Sequence, residues 1–406
     1  MNGKARRRVA VTGMGIITSI GESLPVFKKS LFKGDCGIVP VSLFDTTGFS
    51  CHFAGEVTVD ITGSLSARET RRISRCDLLG LIAADEALSM PGRSFERYNK
   101  DRIGIILGGG AGGMLSWEHY QRAQWAGRFR ARPTLLLPAA ACTLSDLIAA
   151  RHGLTGYRST ICTACSSSAT SIGYGYDLIR AGIQDVILAG GSESLSELTF
   201  TGFHSLKLMD PYYCRPFDKN RRGLSLGEGA AVFVLESYDR AVRRDAVIHA
   251  EVLGYAINSD AVHITAPDSG GMSRVMTKAL KNIEIGPETI DYINAHGTAT
   301  PMNDLMETAA IRMVFTADRG NMPPVSSTKS QVGHCLGASG AVEAAATILA
   351  LQEQMIPPTI HLDDPDPECG LDHVPNISRK KNVRIAMSNS FAFGGNNTSL
   401  LLGRGA

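Results

Sequence analysis

Charge of one sign is what this chain most plainly lacks: its 406 residues carry 41 lysines and arginines against 39 aspartates and glutamates, a net charge of +2. Such balance excludes a surface built as a whole for nucleic acid or another polyanion, so any basic patch must be local. Long hydrophobic runs are missing too. No stretch of about 18 uninterrupted apolar residues occurs, which argues against a membrane span, and Gly13 and Gly15 break the first apolar run too early for a signal peptide. Cysteine is sparse, with nine in the whole chain, no disulfide framework, and the thiols read as reduced in a cytoplasmic protein. Cys36, Cys51, Cys76, Cys142, Cys214, Cys335 and Cys369 show no metal-ligand spacing and are expected to be buried small hydrophobes. No Gly/Ser or charged linker divides the chain.

What remains is the composition of a globular enzyme, 44% hydrophobic and 20% charged, at a length that suits two domains or fused halves. Strands are expected at 9–13, 103–107, around Ile161, and at 185–189 and 231–235, with helices at 77–88, 144–151 and 169–181 between them. The chain restarts near His249: strands at 250–256, 290–294, 383–387 and 398–402, helices at 273–282 and 338–354. Alternation of this kind argues for an α/β architecture with largely buried sheets. The shared order of elements suggests two halves, 1–248 and 249–406, packed tightly.

Chemistry concentrates at Cys165. It follows a strand-like segment and precedes Ala169, Ile172, Tyr176 and Ile179 at helical spacing. A thiol at a helix start faces unpaired N–H groups and the positive end of the dipole, so its pKa is expected below the free value of about 8.5. Three further motifs stand in the second half. His296 follows an apolar strand, in His296-Gly297-Thr298-Ala299-Thr300-Pro301; Lys329 precedes His334 by five residues, in a run that leads into an alanine-rich helix; and Ser388-Asn389-Ser390-Phe391-Ala392-Phe393-Gly394-Gly395-Asn396-Asn397 is a strand end with a glycine turn. Each alone has an ordinary reading, as a structural histidine, a hairpin signal or a helix cap. Together they supply a thiol, two strand-end imidazoles, a lysine and a turn able to present N–H donors.

Here the sequence resembles a known family. Thr163-Ala164-Cys165-Ser166-Ser167, His296 through Pro301, Lys329 through Gly340 and Asn389 through Asn396 are similar to the β-ketoacyl-acyl carrier protein synthases of the elongating type, and further likenesses appear at Arg215-Pro216-Phe217-Asp218, Gly227-Glu228-Gly229-Ala230 and Pro357-Pro358-Thr359. The resemblance implies a thiolase-like α/β fold of five αβαβα layers in two similar halves, usually a homodimer. It implies an acyl chain passed from an acyl carrier protein to Cys165, then decarboxylation of a malonyl thioester. The enolate oxygen would be held by neutral His296 and His334, and the acyl oxyanion by the backbone N–H groups of Cys165 and Phe393. Lys329 would lie beside His334 and Glu343. Thr298 and Thr300, with Thr265, would bind the phosphopantetheine arm; Phe391 and Phe393 would gate the acyl pocket. Arg68, Arg71, Arg72, Arg130 and Lys207 would dock the acidic carrier. No metal is implied, and no cofactor beyond the carrier's phosphopantetheine. One departure bears on substrate: Ala111 stands where elongating synthases often place a bulkier residue, which suggests a long or unusually shaped acyl chain.

Three competing readings are weaker. Gly108-Gly109-Gly110-Ala111-Gly112-Gly113 satisfies a dinucleotide fingerprint, but Arg128 and Arg130 stand where an acidic residue is needed. Cys162-Thr163-Ala164-Cys165 is formally a redox pair, yet strand alternation is expected to turn Cys162 into the core. A non-catalytic partner or scaffold of a lipid or polyketide assembly is the third reading, and the retained Cys165, His296, His334 and Lys329 speak against it.

Overall fold

A computed structural model describes residues 7–63, 66, 70, 72–89, 98–127, 133–315 and 322–405. Arg68, Arg71 and Arg130 lie outside the described residues. Ten principal strands form one hydrogen-bonded ladder: β1 Val9–Thr18, β2 Ile103–Gly108, β3 Arg158–Ile161, β4 Val186–Glu193, β5 Gly229–Ser237, β6 Ala250–Ser259, β7 Tyr292–Asn294, β8 Val325–Ser326, β9 Ile385–Phe391 and β10 Asn396–Arg404. Their order in space is β3-β2-β4-β5-β1-β6-β10-β9-β7-β8.

That order is the same pattern written twice. In the first group β1 and β4 flank β5 antiparallel, while β2 runs parallel to β4 and to β3. In the second, β6 and β9 flank β10 antiparallel, while β7 runs parallel to β9 and to β8. The groups join where Val9 to Val11 pair with Val252 to Ala250. In each group three parallel strands therefore end at one edge, the position at which α/β sheets bind ligands.

The helices lie in three layers. Helices α1 Arg75–Ser89 and α2 Thr143–His152 cover the first group; α5 Ser269–Asn282 packs on the second, with α6 Pro301–Val314 against it. Between the groups run α3 Ser167–Arg180 and α7 Ser339–Glu353, each touching strands of both. This is the five-layer αβαβα, thiolase-like arrangement. A helix between two sheets must be apolar all round, and α7 is buried without a break from Ser339 to Leu351. Small residues let the two central helices touch where they begin: a Cβ on Gly340 would stand 2.6 Å from that of Ala169. Ser168 Oγ accepts the Ala341 N–H at 2.9 Å. The N-termini of α3 and α7 are thereby locked together directly beneath the cysteine.

Several expectations need correcting. Gly13 and Gly15 do not end β1; the strand continues to Thr18 past a bulge between Val11 and Gly13. Helix α1 lies so close that a Cβ on Gly15 would fall 2.0 Å from the Ala83 carbonyl oxygen. Cys36 and Cys142, expected in the core, are exposed, and so is Cys162. Cys162 lies just beyond β3, which stands at one end of the ladder among the described residues. Helix 273–282 starts earlier, at Ser269, because the Asp268 carboxylate accepts the Gly270 and Gly271 N–H groups.

Candidate active site

The loops that follow the three parallel strands of each group carry the chemistry. Cys165 comes after β3, His296 after β7, Lys329 and His334 after β8, and Phe393 after β9. One ligand-type atom from each of Cys165, His296 and His334 lies within 4.8 Å of the others. The imidazole rings stand 5.4 Å apart, nearly perpendicular at 87°.

Cys165 sits on a sharp elbow. Ala164 is held at φ +52°, a left-handed conformation that costs an L-residue roughly 1–2 kcal/mol. The serine run holds it there: Ser167 Oγ donates to the Ala164 carbonyl at 2.6 Å and accepts the Thr163 N–H at 2.9 Å, while Ser166 Oγ donates to the Thr163 carbonyl at 2.9 Å. Cys165 is buried, with 7% of the residue exposed. Burial pushes its pKa up to about 11, against the pull of Lys329 and of the Phe393 and Cys165 N–H groups. The expected low-pKa thiolate is thus corrected: the positive surroundings exist, but desolvation of a charged sulfur outweighs them. The donors expected to hold an acyl oxyanion already point at this sulfur.

Both histidines are neutral, held well below their usual range first by burial and then by Lys329. Their tautomers follow from what faces each Nδ1. Lys329 Nζ lies 3.1 Å from His296 Nδ1, donates to the His296 carbonyl at 2.7 Å, and meets the buried Glu343 carboxylate. Three donors of an ammonium thus find three acceptors. The lysine was expected beside His334; its hydrogen bond goes to His296 instead. The Leu336 N–H donates to His334 Nδ1 at 3.0 Å, and Ser339 Oγ lies 2.9 Å from the same atom. With each Nδ1 accepting, each Nε2 must carry the proton, so the two rings present N–H donors to the space above the sulfur.

The same tautomers speak against a metal, although Cys-His-His is a plausible zinc donor set. Coordination through Nε2 requires a lone pair there and a proton on Nδ1, normally given to a carboxylate or carbonyl. Here Nδ1 faces donors, so the residues do not fit.

The strand-end loops are strained in the same way as the elbow: Ala299 has φ +65° and Leu336 φ +45°. Glu307 on α6, unseen in the sequence, steadies the first of these loops, its carboxylate accepting the His296 and Gly297 N–H groups at 2.8 and 2.7 Å. Burial lifts its pKa to about 7, the same level as Glu343. Helix α6 itself was missed, although Pro301 at its first turn marks the start.

A cavity of about 450 Å³ opens above the three residues. Thr265, Thr298, Thr300, Phe391 and Phe393 line it, and Lys207 lies at the same site beside Arg222, which the sequence reading did not single out. Thr298 and Thr300 hydroxyls lie 2.9 Å apart. Phe203, on helix α4 Glu197–Ser205, stacks on Phe393 with centroids 5.7 Å apart. Ala111 is not part of this lining, and neither is the exposed Arg72.

Comparison with known proteins agrees with this geometry. Two family models match, described as "Beta-ketoacyl synthase, N-terminal domain" over residues 6–241 and "Beta-ketoacyl synthase, C-terminal domain" over residues 249–363. The chain is 40% identical to a 3-oxoacyl-[acyl-carrier-protein] synthase 2 of Synechocystis sp., covering 97% of both proteins. It is 38% identical to the protein of that name from Vibrio cholerae, over 98% of this chain and 100% of the relative. Among solved structures it is similar to the ishigamide ketosynthase/chain length factor, with TM-score 0.94 and 37% identity over 99% of this chain and 100% of the other. It is also similar to a type II polyketide ketosynthase structure with its acyl-carrier protein, with TM-score 0.88 and 29% identity over 98% of this chain and 100% of the other. The Cys-His-His site and these matches meet in one conclusion, that the chain belongs to the β-ketoacyl synthase family.

Proposed function

We propose that the protein is an elongating β-ketoacyl-acyl carrier protein synthase, an acyltransferase that performs decarboxylative Claisen condensation. The observation that carries this reading is a buried thiol within 4.8 Å of two imidazoles whose Nδ1 atoms both accept hydrogen bonds. In the first step Cys165 attacks the acyl thioester of a carrier; the new C–S bond forms, the pantetheine C–S bond breaks, and the proton lost by Cys165 ends on the departing sulfur. In the second, a malonyl thioester loses carbon dioxide, and the electron pair of the broken C–C bond becomes an enolate. Its oxygen takes N–H donation from His296 and His334, which is where two neutral donors stabilise most. The enolate carbon attacks the acyl-Cys165 carbonyl, the C–S bond breaks, and the thiolate takes up from solvent the one proton that the overall reaction consumes. A sulfur with a raised pKa stays protonated in the resting site, and a bound thioester whose carbonyl takes the N–H groups of Phe393 and Cys165 is polarised for its attack.

The finer expectations belong to the same reading. Phosphopantetheine would run past Thr265, Thr298 and Thr300, and no cofactor of the protein's own is needed. Arg68, Arg71, Arg72, Arg130 and Lys207 would receive an acidic carrier; the exposed Lys207 and Arg222 at the cavity support this. Division into halves at 1–248 and 249–406 is supported by the repeated strand order. A homodimer is supported by the place of β3 at the end of the ladder among the described residues and by exposed Trp125 and Leu137. Nine unpaired cysteines suit a reducing cytoplasm. A long acyl substrate rests on the small Ala111, and an unchanged chain-length profile in Ala111→Phe would remove it. The main test is intact mass: an acyl-carrier thioester should leave its acyl group on Cys165, and added malonyl carrier should yield the extended β-ketoacyl product. A chain acylated elsewhere, or not at all, would leave the scaffold reading in place.

A further inference from the structure

One fully buried carboxylate stands apart from the residues already given roles. Glu193, the last residue of β4, has no exposed surface and lies against neither Cys165 nor the cavity. Four backbone N–H groups from two loops converge on it. Oε1 accepts from Ala111 at 3.0 Å and Gly112 at 3.1 Å; Oε2 accepts from Gly110 at 2.7 Å and Gly337 at 3.1 Å. The first three belong to the glycine loop after β2. The fourth belongs to the loop of His334.

Gly337 follows Leu336, whose N–H fixes the tautomer of His334. Leu336 is itself at φ +45°, so its peptide needs an outside hold to stay there. The contact is tight: a Cβ on Gly337 would lie 2.6 Å from the Gly110 nitrogen and 2.8 Å from Glu193 Oε2. The carboxylate therefore ties the glycine loop of the first strand group to the turn that aims an imidazole in the second. The Cys165 elbow needs no such tie, because Ser166 and Ser167 hold it from within.

We propose that Glu193 is a positioning residue for His334, acting through the Gly337 and Leu336 peptides on the decarboxylation step and not on acyl transfer to Cys165. This rests on the functional reading above, and the test separates the two. Glu193→Gln preserves the size of the side chain but turns an NH₂ group toward N–H donors, breaking one side of the anchor. Wild type and E193Q are compared in two half-reactions, transfer of an acyl group from an acyl carrier to Cys165 and carbon dioxide release from a malonyl carrier, together with thermal melting. The expected result is a roughly ten- to hundredfold loss of decarboxylation, with acyl transfer within about threefold of wild type and the fold retained. Equal losses in both half-reactions, or none in either, would overturn the proposal. If E193Q fails to fold, Glu193→Asp, which keeps both oxygens on a shorter arm, is judged by the same criteria. Failure of both to fold would also overturn it, since the carboxylate would then serve the fold as a whole. A wild-type protein inactive in both half-reactions would sink the functional reading instead.

Discussion

Alkylating Cys165 with iodoacetamide across the pH range weighs burial against the positive surroundings of the sulfur. Burial lifts the thiol above its ordinary range, to about 11. Holding a bare thiolate there costs about 3 kcal/mol more than in an open site, and at pH 8 about one thiol in a thousand is ionised. The alkylation rate should then climb about tenfold per pH unit through pH 10 with no plateau. A cysteine ruled by the helix terminus alone would titrate near or below about pH 7 and level off by about pH 8. Lys329 is the largest influence pulling the pKa down, so Lys329→Met should slow alkylation at every pH. That variant also strands Glu343, whose carboxyl, already near 7, will take a proton to stay buried. The readout must resolve two thiols, because Cys162 is exposed and no lysine or arginine separates it from Cys165 between Arg158 and Arg180. A Cys162→Ser background, or fragment ions from that peptide, removes the ambiguity. A rate for Cys165 that plateaus below about pH 8 would refute the claim that desolvation dominates.

Replacing His296 or His334 by alanine should lower malonyl decarboxylation about a hundredfold each while acyl transfer to Cys165 persists, as separate assays of the two half-reactions would record. Ala164→Val places a β-branched residue at φ +52°; a loss of at least about 1–2 kcal/mol and poor acylation are expected, against near-normal behaviour of Ala164→Gly, both readable by melting and intact mass. Stability should respond to pH in two opposing ways. His296 and His334 lie well below 6.5 when folded, so the unfolded chain binds more protons and stability is lost as pH falls below about 6.5. Glu193, Glu307 and Glu343 rise from 4.5 to about 7, so the folded chain holds the extra protons and stability falls as pH climbs through that window. Glu307→Gln removes one opposing contribution, and its denaturant midpoint should therefore gain more between about pH 5 and 7 than that of wild type.

Much of this was legible beforehand, for identifiable reasons. Strands β2, β4 and β5 are built on continuous apolar runs, β6 is apolar from Val252 to Ile257, and α3 and α7 carry small and apolar residues at helical spacing, so their positions were clear to within a few residues. Cys165, His296 and His334 announce themselves because reactive side chains stand at the ends of such strands. What sequence hides is competition between terms. Nothing local says whether a helix terminus or desolvation wins at Cys165; the burial it reaches in the folded chain decides it. Likewise Lys329 stands five residues from His334 yet bonds His296, which is 33 residues away in the chain. Glu193 and Glu307 looked like ordinary charges, since a carboxylate that gathers backbone N–H groups leaves no motif. A charged residue ending the otherwise apolar β4 was the one available signal.

The repeated strand order gives the site its logic. The loop after the second strand is the glycine loop 108–113 in the first group and the His296 loop in the second. The loop after the third strand carries Cys165 in one and Lys329 with His334 in the other; the fourth strand ends at Glu193 in one and leads to Phe393 in the other. In both groups a buried glutamate collects the N–H groups of the second-strand loop, Glu193 at residues 110–112 and Glu307 at residues 296 and 297. On the proposed reading the first group offers the sulfur and the second the donors to the enolate, all lining one cavity. A carbon–carbon bond between two thioesters requires that division, because the acyl carbon and the enolate carbon must meet face to face with each oxygen held by separate donors. Rigid placement follows from strain absorbed on both sides, in the left-handed Ala164, Ala299 and Leu336, each within three residues of a reacting group. Such conformations persist only where neighbours over-determine them, and here the neighbours are the serine run at Cys165 and the glutamates beneath the histidine loops.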